Sequence, residues 1–256
     1  MNTAHSHPVP VPMRPPARGF TLIELMIALL IGLFLIGGLL TLVGGMKRTS
    51  GIQTGLSNLQ DNERLAMSLI TDVIQSAGYY PNPVVNTAAS EFPITGAYTQ
   101  TGQSIVGAGA ATAAAPGDSI TVRYATSGTD NVLDCSGNTS TVAATIVNQF
   151  SVDNSGNLQC QLTVNSGPVQ VIPLVSGVQN LQILYGVQTN PSAGTSSIDT
   201  YLDATQVAAG NYWGNVISVQ VNLTFLNPLF GQPGQTSSTV SFRRVIAVMN
   251  MAGAST

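Results

Sequence analysis

The residues able to do chemistry are few and oddly placed. Only two histidines occur in the 256 residues, His5 and His7, both among the first ten positions. With that segment removed no imidazole remains, which excludes Ser/His/Asp and Cys/His catalysis and most zinc sites. The two cysteines, Cys135 and Cys160, have no basic residue near them in the sequence. Nothing local therefore depresses a thiol pKa to make a nucleophile. Asp130-Asn131 with Asp134, and Asp153-Asn154 with Asn157, offer oxygen ligands of the kind calcium takes. Neither group has the EF-hand spacing or its closing Glu, and these residue types mostly form turns. No P-loop, dinucleotide fingerprint or carboxylate cluster is present. One acid stands apart: Glu24, at the start of a long apolar run.

The composition narrows the class further. Charged residues make up 7% of the chain and hydrophobic residues 44%, with a net charge of −3. Ordinary soluble domains carry about 25% charged residues. The apolar content argues against a charged disordered chain, and the acidic balance against binding through nucleic-acid phosphates. A secreted, membrane-attached or surface-assembled protein is left. Arg243 and Arg244 are adjacent, so a strand would turn them to opposite faces. That makes a poor nucleic-acid patch, and a structural ion pair is the expected use.

The first 19 residues are proline-rich, lack acids and carry Arg14 and Arg18. Residues 25–46 then contain no charge, with Thr41 the one clearly polar side chain, and Lys47 and Arg48 close the run. About 20 helical residues span the hydrocarbon core of a bilayer. The run is too long for a secretory signal core, and no convincing small-residue cut follows it. A membrane anchor with Arg14 and Arg18 on the cytoplasmic side fits the positive-inside rule. It does not explain Glu24, because a charge within a spanning helix costs about 2.5–3.5 kcal/mol on insertion scales. The bland alternative leaves Glu24 wet at the headgroup level.

The stretch Arg18-Gly19-Phe20-Thr21-Leu22-Ile23-Glu24-Leu25 resembles the processing site of type IV prepilins and type II secretion pseudopilins. The resemblance implies that a membrane-embedded prepilin peptidase cuts the Gly19–Phe20 bond and N-methylates Phe20. It also implies that Glu24 is the family's acidic assembly residue. Helix geometry fits this independently. Glu24 lies i+4 from the new amine at Phe20, on the same helical face. In a packed bundle it can pair instead with the amine of a neighbouring subunit, which would fix an axial stagger. A start at Met13 would give the short leader MRPPARG, the length such leaders often have, and residues 1–12 add nothing the cut needs.

Beyond Met46 the helical signal continues. Ile52, Leu56, Leu59, Ala66, Ile70, Val73 and Ala77 recur at three- and four-residue steps, with Glu63 completing the spacing and Asp61, Arg64 and Asp72 off the stripe. Gly78-Tyr79-Tyr80-Pro81 reads as the stop. One helix from Phe20 to about Ala77 would be roughly 87 Å long. Its membrane half should protrude and its amphipathic half should lie on a sheet. Residues 81–117 read as loop. Strands are expected at Ser119–Ala125, Ala144–Val152, Leu158–Val164, Val169–Val175, Val178–Val187, Val216–Leu226 and Thr239–Val248. In the sixth of these, Ile217, Val219, Val221 and Leu223 should form the apolar face. Tyr212 and Trp213, in a glycine-flanked loop, are expected to pack on the sheet rather than anchor an interface.

The reading is therefore α+β, with a leader at 1–19, a transmembrane or filament-core helix at 20–46, an amphipathic continuation at 47–79 and a β-rich domain at 80–256. With the leader inside, Cys135 and Cys160 face the periplasm, where an even pair favours a disulfide over free thiols. DSITVRY (118–124), LDC (133–135), LQC (158–160), GVQNLQILYG (177–186) and SFRR (241–244) resemble PilW-type minor pilins. That likeness implies a pilin-like fold and a structural subunit of pilus assembly, in a priming or tip complex. It implies minor and major pilins, the prepilin peptidase and an inner-membrane assembly platform as partners. The implied location is the inner membrane, then the pilus or cell surface. No cofactor, metal or nucleic acid is expected. Three alternatives stay open: a minor pseudopilin of type II secretion, a membrane-anchored periplasmic enzyme, and an adhesin or DNA-capturing module. The thinly spread acids count against the enzyme. The mature balance of six basic to eleven acidic residues gives DNA capture no electrostatic help.

Overall fold

The computed structural model describes residues 19–110, 117–190 and 197–252. The chain divides into two compact units, Met1–Gly51 and Ile52–Thr256. Helix α1 (Leu22–Gln75) begins in the first and continues into the second.

In the first unit α1 is apolar on every side, and its side chains between Leu22 and Ser50 are exposed. A helix of this kind has no core of its own to fill, and this one is long and apolar enough to cross a membrane.

In the second unit the pattern of α1 changes to a stripe. Leu59, Ala66, Met67, Ile70, Val73, Ile74 and Ala77 are buried, while Asp61, Arg64 and Asp72 are exposed. Burying each larger aliphatic contributes about 1.5–3 kcal/mol, so this stripe, more than local propensity, holds the half-helix on the sheets. Gly78 ends it with φ of 72°, its N–H donating to the Arg123 carbonyl at 3.0 Å. Such a left-handed residue is usually glycine.

Two antiparallel sheets complete the unit. The first has the order β1-β2-β3-β4-β5, built from β1 (Ile105–Ala108), β2 (Ser119–Thr126), β3 (Ala144–Val152), β4 (Asn157–Val164) and β5 (Gln170–Ser176). The second has the order β7-β6-β8-β9, from β6 (Val178–Val187), β7 (Thr200–Leu202), β8 (Val216–Leu226) and β9 (Thr239–Ala247). Short helices α2 (Ala88–Glu91), α3 (Ala204–Ala209) and α4 (Met249–Ala252) decorate them. One hydrophobic core joins the α1 stripe to both sheets, through Ile120, Tyr124 and Phe150 of the first and Ile183, Tyr185, Val221 and Phe225 of the second. Asp118 links the sheets. Its N–H donates to the Leu181 carbonyl at 2.7 Å, and its carboxylate accepts the Ile183 N–H at 2.8 Å.

All seven expected strands form, with ends shifted by at most a residue. Four details differ. The 81–117 segment contains α2 and β1 rather than loop alone, and β7 and α3 lie where no element was expected. On β8, Val216 and Ser218 are buried and Ile217 is only partly so. Gly186 and Val187 of β6 pair with Ser218 and Val216, so Ile217 is the extra residue of a β-bulge in β8 itself, which shifts the side-chain phase there. Arg243 and Arg244 are both exposed, and the contact Arg244 makes is with the Thr71 hydroxyl at 3.4 Å, not a carboxylate.

Candidate functional site: the N-terminal segment and the pinned loop

At the start of α1, Gly19, Phe20 and Thr21 precede the first helical turn and are exposed. The Thr21 hydroxyl accepts the Glu24 N–H at 3.4 Å, so Thr21 caps the helix and Glu24 occupies its third position. The T-x-x-E spacing is that of a capping box. A carboxylate here also faces the positive end of the helix macrodipole. The signal for this cap is the spacing Thr21-Leu22-Ile23-Glu24 itself. Glu24 is exposed and its side chain meets no cation among the described residues. Arg14 and Arg18, together with His5, His7 and Met13, lie outside the described residues.

The glycines of the exposed half-helix make no close approach. A Cβ added at Gly32, Gly37, Gly38, Gly44 or Gly45 would meet nothing within 4 Å. Thr41 and Thr49 turn their hydroxyls back onto the Gly38 and Gly45 carbonyls at 2.7 and 3.0 Å, removing polar groups from the apolar surface.

The second constellation surrounds the cysteines. Cys135 and Cys160 are fully buried and joined in a disulfide, with Cα atoms 6.3 Å apart. Cys160 lies on β4 opposite Phe150. Cys135 sits in a turn closed by the Leu133–Thr139 bridge. Two buried side chains of the first sheet hold that turn. Asn148 accepts the Cys135 N–H at 3.0 Å, and the Tyr124 hydroxyl donates to the Leu133 carbonyl at 2.9 Å. Burial, with Asp134 and Asp130 nearby, pushes the Tyr124 phenol well above its ordinary pKa. The disulfide and these two bonds together pin an otherwise polar loop to the core.

Asp130, Asp134 and Asp153, considered above as oxygen ligands, organise turns instead. Asp134 accepts the N–H groups of Ser136 and Asn138 at 2.8 and 3.1 Å. Asp153 accepts those of Ser155 and Asn157, each at 2.8 Å. Asp130 accepts the Ser127 N–H at 2.8 Å and the Thr126 hydroxyl. Partial burial works to raise the Asp130 pKa, but these hydrogen bonds outweigh it and hold the carboxyl below its usual range. Among the described residues no three His, Cys, Asp or Glu side chains are grouped as a metal site would need.

In the sequence Arg123 carries no signal of a role beyond its place in DSITVRY (118–124). It is a buried cation on β2 whose partners are carbonyls: Nε to Gln103 at 2.7 Å, and Nη1 and Nη2 to Pro93 and Phe92 at 2.9 and 3.2 Å. The guanidinium lies over the Tyr98 ring, 3.9 Å from its centroid. Burial lowers the Arg123 pKa, with Tyr98 opposing the shift. The effect is to clamp residues 92–105 onto β2. Trp213 packs edge-on against Tyr185, centroids 5.0 Å apart, in the core as the sequence suggested.

Two family comparisons bear on these features. Residues 14–40, which bracket Gly19, Phe20 and Glu24, match the prokaryotic N-terminal methylation motif. Residues 146–247, from within β3 to the end of β9, match type IV pilus-assembly protein W. No curated protein matches the chain. The chain thus joins a prepilin-type N-terminal methylation motif at the head of an apolar helix to antiparallel sheets similar to type IV pilus-assembly protein W, the features of a type IV pilus-related protein.

Proposed function

We propose that the protein is a minor type IV pilin, a structural subunit whose work is recognition and packing. Residues 1–19 serve as the leader, residues 20–46 as the membrane and filament-core segment, residues 47–79 as the continuing spine and residues 80–256 as the outer domain. The precursor sits in the inner membrane with its sheets in the periplasm. Prepilin peptidase cuts Gly19–Phe20 and methylates Phe20. The α1 segment stays with the mature chain because the cut precedes it. Glu24 then accepts the amine of a neighbouring pilin, so the charge pair forms only when a subunit is in register. The cost of leaving a carboxylate unpaired in hydrocarbon, about 2.5–3.5 kcal/mol, drives that selection. The subunit joins other minor and major pilins at the assembly platform, in a priming or tip complex.

The observation that carries this reading is the exposed, uninterrupted apolar helix with one acid in its capped first turn, inside the methylation-motif match. It is tested by deleting the gene and scoring surface pili and exoprotein release in parallel. Loss of pili with normal secretion is expected. Lost secretion with intact pili would refute it in favour of a pseudopilin.

A further inference from the structure

The unit Ile52–Thr256 contains ten acidic and four basic residues. Arg123 is buried, so its exposed cations are Arg64, Arg243 and Arg244. The last two sit side by side on β9, an edge strand, and neither meets a carboxylate among the described residues. The edge itself is open. At the two ends of the β8–β9 ladder, Asn227 N–H donates to the Ser238 carbonyl and Val248 N–H to the Ile217 carbonyl. Antiparallel bonding alternates along a strand, so the backbone groups of Ser241, Arg243, Val245 and Ala247 point away from β8. No backbone hydrogen bond among the described residues takes those groups.

The opposite edge of the same sheet has the opposite charge. β7 is flanked by Asp199 and Asp203, both exposed. Their carboxylates already shape local turns, accepting the Thr189 and Gln206 N–H groups at 2.7 and 2.8 Å, while both residues remain exposed. The hydrogen bonds on Asp199 hold its pKa below the usual range. Exposed apolar side chains sit beside both charge sets: Val245 on β9 and Tyr201 on β7. The topology makes the edges compatible. β7 pairs antiparallel with β6, β6 with β8 and β8 with β9. A second copy that continued the sheet past β9 would therefore present β7 antiparallel to it.

We propose that the cationic β9 edge is a docking surface for the acidic β7 edge of a second copy of this chain, joining the two sheets edge to edge. The other edges fit worse. A second β9 would face arginines with arginines, and β1 and β5 carry no charge. Charges on an open edge usually serve to prevent pairing, and here they reject a like edge while admitting an acidic one. The contact is head-to-tail, so each pair keeps one free β9 edge and one free β7 edge for further copies.

The test uses the full-length protein in membranes, with a photo-cross-linking side chain at Val245. The expected result is a cross-linked dimer whose product maps to residues 199–203 of the second copy. Cross-links that map elsewhere, or only to a different protein, would overturn the proposal. The variant carrying Arg243→Glu and Arg244→Glu should lose at least nine-tenths of the dimer product while keeping the wild-type unfolding midpoint. Undiminished dimer in the double variant would rule out the β9–β7 pairing.

Discussion

Removing both cysteines should destabilise the sheet-bearing unit by an amount the structure sets. The bond between Cys135 and Cys160 closes a loop with a sequence separation of 25 residues. Freeing such a loop in the unfolded chain is worth about 3.5 kcal/mol at 25 °C in the chain-entropy treatment. Both side chains are fully buried, so Cys→Ala replacement adds a packing loss of about 1 kcal/mol or more. Asn148 and Tyr124 still hold the turn after the replacement, so the native loop should keep its place. The predicted change is therefore a loss of about 3.5–5 kcal/mol with little change in native structure. Trp213 is the only tryptophan, is buried, and lies against the second sheet while the disulfide lies in the first. Its fluorescence in a urea titration of the full-length protein in detergent reports whether the sheets unfold together. The variant carrying Cys135→Ala and Cys160→Ala should show one transition, at lower urea and with a slope at least as steep, because the freed unfolded chain is less compact. An unchanged Trp213 midpoint would refute the reasoning. It would mean either that the loop adds no entropy or that the two sheets do not share one cooperative core.

Three other outcomes follow from particular contacts. Gly107→Ala would drive a Cβ into the Tyr185 hydroxyl and should cost about 1–3 kcal/mol. Tyr185→Phe removes a buried hydroxyl that has no partner among the described residues, so it should be neutral or stabilising alone and should rescue Gly107→Ala in part in the same urea titration, because the ring Cζ still lies 2.6 Å from the added Cβ. Asp130 has a depressed pKa in the fold, so its contribution is present at neutral pH and is lost as pH falls below about 4, toward the folded pKa. Asp130→Asn should flatten that part of the stability-against-pH curve, and an unchanged curve would contradict the assignment. Glu24→Ala should leave a membrane protein that is processed at Gly19–Phe20 but enters pili poorly, and normal incorporation in sheared pili would refute the pairing with a neighbour's amine.

Elements that bury one face along several residues were legible from the sequence. The α1 stripe from Leu59 to Ala77 and the alternation in β3, β6 and β8 are enforced by the same core that produces them. β1 and β7 were not legible. They have four and three residues, too few for a period, and β7 is mostly exposed. They exist because β2 and β6 offer an edge to pair with, a tertiary cause with no local signature. Ser218 shows the same limit, since the group against it is the Tyr201 hydroxyl of β7, 3.2 Å from its own. At the N-terminus Glu24 stands out by residue type and position, because one acid in an apolar helix has few structural uses, whereas Gly19 and Phe20 are marked only by the resemblance to prepilin processing sites. Arg123 did not stand out. A lone arginine in an alternating strand looks like a solvent-facing residue until the three carbonyls around it are seen.

The central claim is that the chain is cut just ahead of α1 and keeps that helix for assembly. It is tested most directly by sequencing the N-terminal peptide of the protein recovered from membranes and sheared pili by mass spectrometry. The account predicts a chain that begins at Phe20 with one added methyl group on its amine. A chain that retains residues 1–19, or one that has lost the apolar segment through Met46, would contradict it.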